Sequence, residues 1–459
     1  MSFLSDDSPI CALATPVGRS ALAILRISGI GSLEKCRSML RFLPTEVKSH
    51  SCYVGFVQGA DGIAIDEVVV TYFGHGKSFT GEETLEITCH GNELLVEKII
   101  GCLIDVGCRI ASPGEFSFRA FINGRIDLVQ AESILNLINS QSEAARKISL
   151  RQLRGELSKV IHKVKRDVTR ILAHIEASID FSSEGLEVLS SVQLATLCEP
   201  LMEQVEKLAD SYRQGQRTYE GLQVGIVGRP NVGKSSLLNL LVGEEKAIVS
   251  DIAGTTRDLI EANKYIGGVQ FKFIDTAGLR MTDDKLEAIG ISKANLVLDE
   301  SDLLIYICDV TCYDWAQDVA TIRNLPPQST LIVANKTDVR APDSFLMALQ
   351  EITSNFKVVN MSCVRGDGVS NLQDWLKSAL RADHAQEMPS VLINSRHFNL
   401  CSDLHKFLEI AYEELTMGKS EEFSSLPLYQ ALRACDDLLG VRVDEAVIDQ
   451  VFKEFCLGK

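Results

Sequence analysis

Eight consecutive residues, Gly228-Arg229-Pro230-Asn231-Val232-Gly233-Lys234-Ser235, have the spacing GxxxxGKS. Glycines at the two ends of such a loop let backbone N–H groups wrap phosphates. Lys234 neutralises β- and γ-oxygens, and the Ser235 hydroxyl suits Mg²⁺. Asn231, Val232 and Gly233 line the same loop. Ser236 follows at the start of a helix predicted over 235–241, whose N-terminal dipole adds to the attraction for phosphate. Asp275-Thr276-Ala277-Gly278 closes a strand predicted over 269–274. There Asp275 is suited to order an ion-bound water, and the Gly278 N–H to meet the γ-phosphate. Between these two motifs run Ser250, Asp251, Ile252, Ala253, Gly254, Thr255 and Thr256. Thr256 is expected to give a second hydroxyl to Mg²⁺ only while the γ-phosphate is present, so the segment orders with the triphosphate and relaxes after hydrolysis.

Base selection points to Asn335-Lys336-Thr337-Asp338. A carboxylate at Asp338 accepts from both N1–H and the 2-amino group of guanine. Adenine lacks that donor pair and leaves the carboxylate unmatched, a cost of about 1–3 kcal/mol. Ser362, Cys363 and Val364 fall in the last base-contacting loop. Four elements in this order imply a guanine-nucleotide hydrolase. After the Asp-Thr-Ala-Gly run stands Leu279, which cannot hold an attacking water. Glu287, Asp283 and Asp284 are the nearby candidates for that task, and each is equally an ordinary surface residue.

Strands predicted over 223–227, 269–274, 303–309, 331–334 and 357–360 alternate with helices over 235–241 and 369–380. That order implies a Ras-like P-loop domain, a mostly parallel sheet with helices on both faces and ligand loops at its carboxyl edge. Residues 1–119 read as mixed α/β, with strands over 22–27, 67–72 and 84–88 and a helix over 94–106. Apolar residues at three- and four-residue steps recur through 127–179, 194–212, 398–415 and 446–455, the pattern of amphipathic helices. The expected organisation is therefore multidomain α/β plus all-α. It comprises an N-terminal domain (1–119), a helical domain in two halves (120–217 and 383–459), and an inserted GTPase domain (218–382). Insertion of this kind is tolerated where a module's ends lie close together.

The 459 residues carry a net charge of −16 with 46% hydrophobic residues, an ordinary balance for a soluble protein that gives no global attraction to nucleic acid. No run is long and apolar enough for a membrane span, and the first ten residues hold Asp6 and Asp7 but no base. A cytoplasmic location without membrane contact is expected. Between 146 and 170, nine Lys and Arg residues face only Glu156 and Asp167. This run is either a polyanion contact or the solvated face of a long helix. The thirteen cysteines are scattered and read as reduced, mostly buried thiols, Cys456 set aside.

The chain resembles the MnmE (TrmE) family of tRNA-modification GTPases over essentially its whole length. Beyond the nucleotide motifs, the resemblance rests on Ala14-Thr15-Pro16-Val17-Gly18-Arg19, Ile24-Leu25-Arg26-Ile27-Ser28-Gly29, Ser78-Phe79-Thr80-Gly81-Glu82, Pro113-Gly114-Glu115-Phe116-Ser117 and the terminal Phe455-Cys456-Leu457-Gly458-Lys459. GTPases of the Era/Der class share the phosphate-loop and Asp-Thr-Ala-Gly elements but lack the N-terminal and C-terminal ones.

The resemblance implies a homodimer formed through folate-binding-like N-terminal domains. It implies a partner, MnmG, which carries FAD, and modification of carbon 5 of the wobble uridine in certain tRNAs. A 5-formyl- or methylene-tetrahydrofolate would supply one carbon, with Arg26, Glu86, Arg125 and Lys459 at the folate-contacting positions. Arg125 stands where some members have Lys, keeping charge but changing reach. The resemblance also implies K⁺, contacted by Asn231, Ser250, Ile252 and Thr255, and gives Glu287 the task of orienting the attacking water. Cys456 is either a buried helix-end thiol or a participant at the folate pocket. Departures from the family pattern include Ser182, Ala431 and the 440–444 segment.

Overall fold

The computed structural model describes residues 8–180, 189–243, 260–275, 301–312, 315–339, 355–383, 391–418, 421–442, 445–455 and 458. The chain divides into two compact units. One comprises Met1–Asn139, Ser149–Glu206 and Asn399–Lys459, the other Ser140–Ile148 and Lys207–Phe398.

In the first unit the strands are β1 (Ile10–Leu13), β2 (Leu22–Ser28), β3 (Ser51–Gln58), β4 (Ala64–Phe73), β5 (Thr84–His90) and β6 (Arg109–Ile110). They pair in the order β3-β4-β5-β2-β1-β6, antiparallel except for β1 with β6. Alternation decides which face is buried. Leu25 and Ile27 of β2 and Leu85 and Ile87 of β5 point into one core, where Ile99 and Leu103 of the Glu93–Asp105 helix join them. Arg26 and Glu86, one residue out of phase, therefore lie side by side on the opposite face, paired in register. Arg26 Nη2 approaches Glu86 Oε1 to 2.8 Å.

A charged chain braces that sheet. Ser28 Oγ donates to Glu82 (2.8 Å), and Arg119 Nη1 donates to the same carboxylate (3.1 Å). Arg119 Nη2 also reaches Glu115, which Arg109 grips with both terminal nitrogens (2.5 and 3.0 Å) and the Ser112 backbone N–H caps (2.9 Å). Glu115 is 1% exposed. The C-terminal segment closes against the same region. Phe452 packs edge-on against Phe118 with ring centroids 5.6 Å apart, beside Phe121 and Phe455. Gly458 lies so close to β1 that a Cβ there would be 2.3 Å from the Leu13 carbonyl oxygen.

The helical part of this unit follows the expected periodicity. Helix Glu156–Asp180 buries Leu157, Ile161, Val164, Val168, Ile171, Leu172 and Ile175. It is tied to helix Glu421–Leu439 by the Lys165–Asp436 ion pair and the Tyr429 hydroxyl on Glu176. The basic run belongs to two helices, Glu143–Leu153 and Glu156–Asp180, parted at Gly155, whose φ is +76°.

The second unit is built on β7 (Leu222–Val227), β8 (Ile260–Ile266), β9 (Val269–Asp275), β10 (Leu303–Asp309), β11 (Thr330–Asn335) and β12 (Lys357–Asn360). Their order is β12-β11-β10-β7-β9-β8, parallel throughout except for β8, which pairs with β9 through the two-residue Gly267-Gly268 turn. Both faces are covered. Leu237, Leu241, Leu372 and Leu376 pack against one, and Trp315, Ile322 and Leu325 against the other. This is the mostly parallel, two-sided sheet expected from the strand and helix order.

Glu115 gives a test of the N-terminal brace. Burial alone would raise its pKa, but the bonds from Arg109, Ser112 and Arg119 outweigh that and hold it below the usual carboxylate range. A depressed folded-state pKa means that the stabilisation is full above the unfolded value of about 4.3 and is lost as pH falls through the folded one. Glu115→Gln should therefore cost about 3–5 kcal/mol in urea unfolding at neutral pH. The difference from wild type should narrow below about pH 4; a penalty independent of pH would contradict the assignment.

Candidate nucleotide site

The phosphate loop leaves the end of β7 at Gly228 and enters the Lys234–Val242 helix. The backbone there has no room for other residues. Gly233 has φ +108°, and a Cβ on it would stand 2.3 Å from Asn335 Nδ2. Asn231 also adopts a left-handed backbone (φ 62°), which asparagine tolerates better than most residues. Lys234, 7% exposed, donates its amine to the carbonyls of Gly228 (2.8 Å) and Arg229 (2.7 Å). The ammonium is thus held over the inner wall of the loop. Ser235 and Ser236 lie in the first turn of the helix, where the Ser235 hydroxyl oxygen is a suitable ligand for a hard cation.

Behind the loop, Arg229 Nε pairs with Asp318 (3.1 Å), which also accepts from the Tyr306 hydroxyl (2.7 Å). Asp318 is 2% exposed, so a desolvated carboxylate pins the loop through Arg229. Burial first, and then the bond to Asp318, push the Tyr306 hydroxyl pKa up, keeping it a donor.

The base loop meets the phosphate loop through one side chain. Asn335 ends β11, donates Nδ2–H to the Val232 carbonyl (2.8 Å) and accepts at Oδ1 from the Cys363 backbone N–H (3.1 Å). Lys336, with φ 67°, donates to Asp309 Oδ2 (2.5 Å) and to the Asn231 carbonyl (3.2 Å). Burial would raise the Asp309 pKa, but bonds from Lys336 and Thr311 hold it low. The Ser362 hydroxyl donates to Asp338 Oδ1 (2.7 Å) and likewise depresses that carboxyl, so Asp338 stays an ionised acceptor. Burial raises the Cys363 thiol to about 11, so it is a neutral neighbour. Val364 projects into solvent, 88% exposed.

The structure thus brings together Asn231, Val232, Gly233, Lys234, Asn335, Lys336, Asp338, Ser362 and Cys363 around one loop cluster. The backbone of Asp275 closes β9 beside Ile226 of β7. Ser250, Asp251, Ile252, Ala253, Gly254, Thr255, Thr256, Thr276, Ala277, Gly278 and Glu287 lie outside the described residues, as do Cys456 and Lys459. Arg26 and Glu86 meet on the N-terminal sheet, with Arg26 Nη1 3.5 Å from the Gly458 carbonyl. Arg125 is exposed and donates to the Gly76 carbonyl (3.4 Å). Sequence reasoning missed Asp309, Arg229 and Asp318. The signal for Asp309 was available: an acid at the carboxyl end of a strand in a parallel sheet, where ligand sites form.

A phosphate loop joined through an amide to an Asn-Lys-x-Asp loop, on a mostly parallel sheet, defines a P-loop GTPase, a class that binds GTP with Mg²⁺. Comparison with known proteins narrows the class. Residues 9–125 match the family model described as the GTP-binding protein TrmE N-terminus, and residues 128–456 match the MnmE helical domain. The tRNA modification GTPase MnmE of Bdellovibrio bacteriovorus is 40% identical over 99% of this chain and 98% of its own. That of Salinibacter ruber is 38% identical over 99% and 100%, and that of Aquifex aeolicus 35% over 98% and 99%. A solved structure of Aquifex aeolicus Era aligns with 41% of this chain and 67% of its own at 29% identity, with a TM-score of 0.28. The chain belongs to the MnmE family of tRNA modification GTPases, and it is a GTP hydrolase.

The expectation that Asp338 selects guanine is open to direct measurement. Asp338→Asn should weaken GTP binding by about 1.5–3 kcal/mol, roughly 10- to 150-fold, and shift preference to xanthosine triphosphate. Titration with labelled nucleotides reads both effects. Equal affinities for GTP and ATP in the unaltered protein would remove the basis for the assignment.

Proposed function

We propose that the chain hydrolyses GTP to drive, with MnmG, addition of an aminomethyl- or carboxymethylaminomethyl-type group to carbon 5 of the wobble uridine, position 34, of certain tRNAs. The single-carbon unit comes from a 5-formyl- or methylene-tetrahydrofolate held at Arg26, Glu86, Arg125 and Lys459, and FAD resides on MnmG. Full-length similarity to relatives named as tRNA modification GTPases supports the overall activity. One observation supports the folate part. The Arg26–Glu86 pair stands beside the Gly458 carbonyl, so the chain's last described residue and this pair share one surface. A pteridine ring offers the same adjacent N–H and 2-amino donors as guanine, which a carboxylate such as Glu86 can accept together.

In the GTPase cycle Lys234 meets β- and γ-phosphate oxygens. Ser235 and Thr256 supply hydroxyls for Mg²⁺, Asp275 orders an ion-bound water, and the Gly278 N–H meets the γ-phosphate. Oxygens of Asn231, Ser250, Ile252 and Thr255 hold K⁺ where an arginine finger would otherwise put its charge, and Glu287 orients the attacking water in place of Leu279. Segments 1–119, 120–217 with 383–459, and 218–382 serve as the folate and dimerisation, helical and GTPase domains. The working form is a cytoplasmic homodimer. Among the described residues no helix is long and apolar enough to cross a membrane.

Mass spectrometry of wobble uridines tests the whole reading. Cells lacking the gene should lose the modification and regain it with the wild-type chain. With Arg26→Ala they should not regain it, although that variant keeps its GTP turnover. Persistence of the modification in the gene-deleted strain would refute the proposal.

Steady-state GTPase rates in matched KCl and NaCl test the ion. Asn231→Ala should erase the advantage of K⁺ and leave guanine preference in place. Glu287→Ala should slow turnover at saturating K⁺ by roughly 30- to 1,000-fold, about 2–4 kcal/mol. Identical wild-type rates in the two salts would end the K⁺ assignment.

A further inference from the structure

The basic run between 146 and 170 is not uniform once its partners are known. Arg146 pairs with Glu143, Arg151 with Glu156 and Lys165 with Asp436. Lys159, Lys163, Arg166 and Arg170 remain at the surface of helix Glu156–Asp180, with no ion pair to any described residue. At 3.6 residues per turn these four fall within about 60° of arc, on the side opposite buried Val164, Val168 and Ile171. Between 157 and 175 the only acid is Asp167, on the flank of the stripe beside Lys163. From Lys159 to Arg170 the stripe is about 17 Å long at 1.5 Å per residue. That is long enough to meet several successive phosphates of one strand.

The stripe does not end at Lys159. His162, on its margin, lines a cleft of about 610 Å³ in the same unit, together with Arg125, Asp127, Gln130 and Arg442. Arg125 and Arg442 are both exposed, so the positive surface continues from the helix into the cleft.

We propose that this face of helix Glu156–Asp180 binds the phosphate backbone of tRNA and leads it toward the Arg125–Arg442 cleft. The inference rests on the tRNA-modification reading and gives that substrate a location on this chain. Physical chemistry favours RNA over the other partners of a basic face. A membrane-surface helix needs large apolar side chains flanking its cations, and here the apolar row is already buried in the protein. Protein interfaces are depleted in lysine at their centres. An acidic chain with net charge −16 repels RNA elsewhere, so a local stripe both attracts and orients it.

The test uses the full chain and an unmodified tRNA transcript with a wobble uridine, with binding followed by anisotropy across a KCl series. A charge-reversed form, Lys163→Glu with Arg166→Glu and Arg170→Glu, should bind at least roughly tenfold more weakly. Its log–log salt slope should drop by about 2–3 units, near 0.7–0.9 for each phosphate no longer neutralised. A charge-preserving form, Lys163→Arg with Arg166→Lys and Arg170→Lys, should bind as wild type. Both should keep the wild-type Tm and GTP turnover. Wild-type affinity and slope in the charge-reversed form would overturn the proposal. So would loss of MnmG association with tRNA binding intact, which would make the face a protein dock, or the absence of tRNA binding by wild type alone and with MnmG. Failure of the underlying reading appears separately, as full wobble modification in cells lacking the gene. If only the surface is misassigned, modification still requires the gene, and the charge-reversed form restores it.

Discussion

The side-chain amide of Asn335 is the joint on which the nucleotide site depends. It carries a donor and an acceptor on one rigid plane, and uses the first on the phosphate loop and the second on the last base loop. A carboxylate there would lose the donor and an amine the acceptor. At 2% exposure, either loss would leave a backbone group buried and unmatched. The demand spreads outward. Gly233 is required because the amide nitrogen occupies the space of a Cβ, and Lys336 takes a left-handed backbone while its amine spans Asp309 and the Asn231 carbonyl. The two loops are therefore mechanically one assembly, and a shift in either strains the other.

The N-terminal sheet is stabilised in a different way. Arg26 and Glu86 share one face because strand alternation left them opposite the core. The neighbouring chain Ser28–Glu82–Arg119–Glu115–Arg109 sets charges in alternation through a largely buried region. Such chains add little over a packed apolar core while intact, but they penalise any arrangement that separates the ions. This favours a single alignment of β2, β6 and the Glu115–Ile122 helix, and with it a fixed setting for the Arg26–Glu86 pair.

Much of this was legible in the residues themselves. Strands over 303–309 and 357–360 coincide with β10 and β12, and the phosphate loop, Asn335 and Asp338 fall where their motifs indicate. β10 is buried in the sheet and the loops have demanding geometry, so few residue types fit there and the pattern is strong; β12 is an edge strand whose Val359 alone is fully buried. The strands left unread were β1, β3, β6 and β8. In β3, Val54 and Phe56 are 66% and 53% exposed, and in β8 the sequence Ile-Glu-Ala-Asn-Lys-Tyr-Ile mixes charge with apolar residues. Both lie at sheet edges, where pairing on one side alone relaxes the alternation that sequence reading relies on. Arg229 and Asp318 escaped for another reason. Their pairing joins residues far apart in the chain, and no local spacing announces it.

Gly458 packs against the Leu13 carbonyl, and its own carbonyl faces Arg26. Residues more than four hundred positions apart thus complete one surface, and their separation orders events during synthesis. Domains fold largely as they emerge, N-terminal residues first. Strands β1 and β2 can pair early in translation, yet the wall beside Arg26 stays open until Gly458 has left the ribosome. A chain cut short between Cys363 and Gly458 would contain both nucleotide loops and still lack this surface. Gly458 therefore acts as a record that the message was read at least that far.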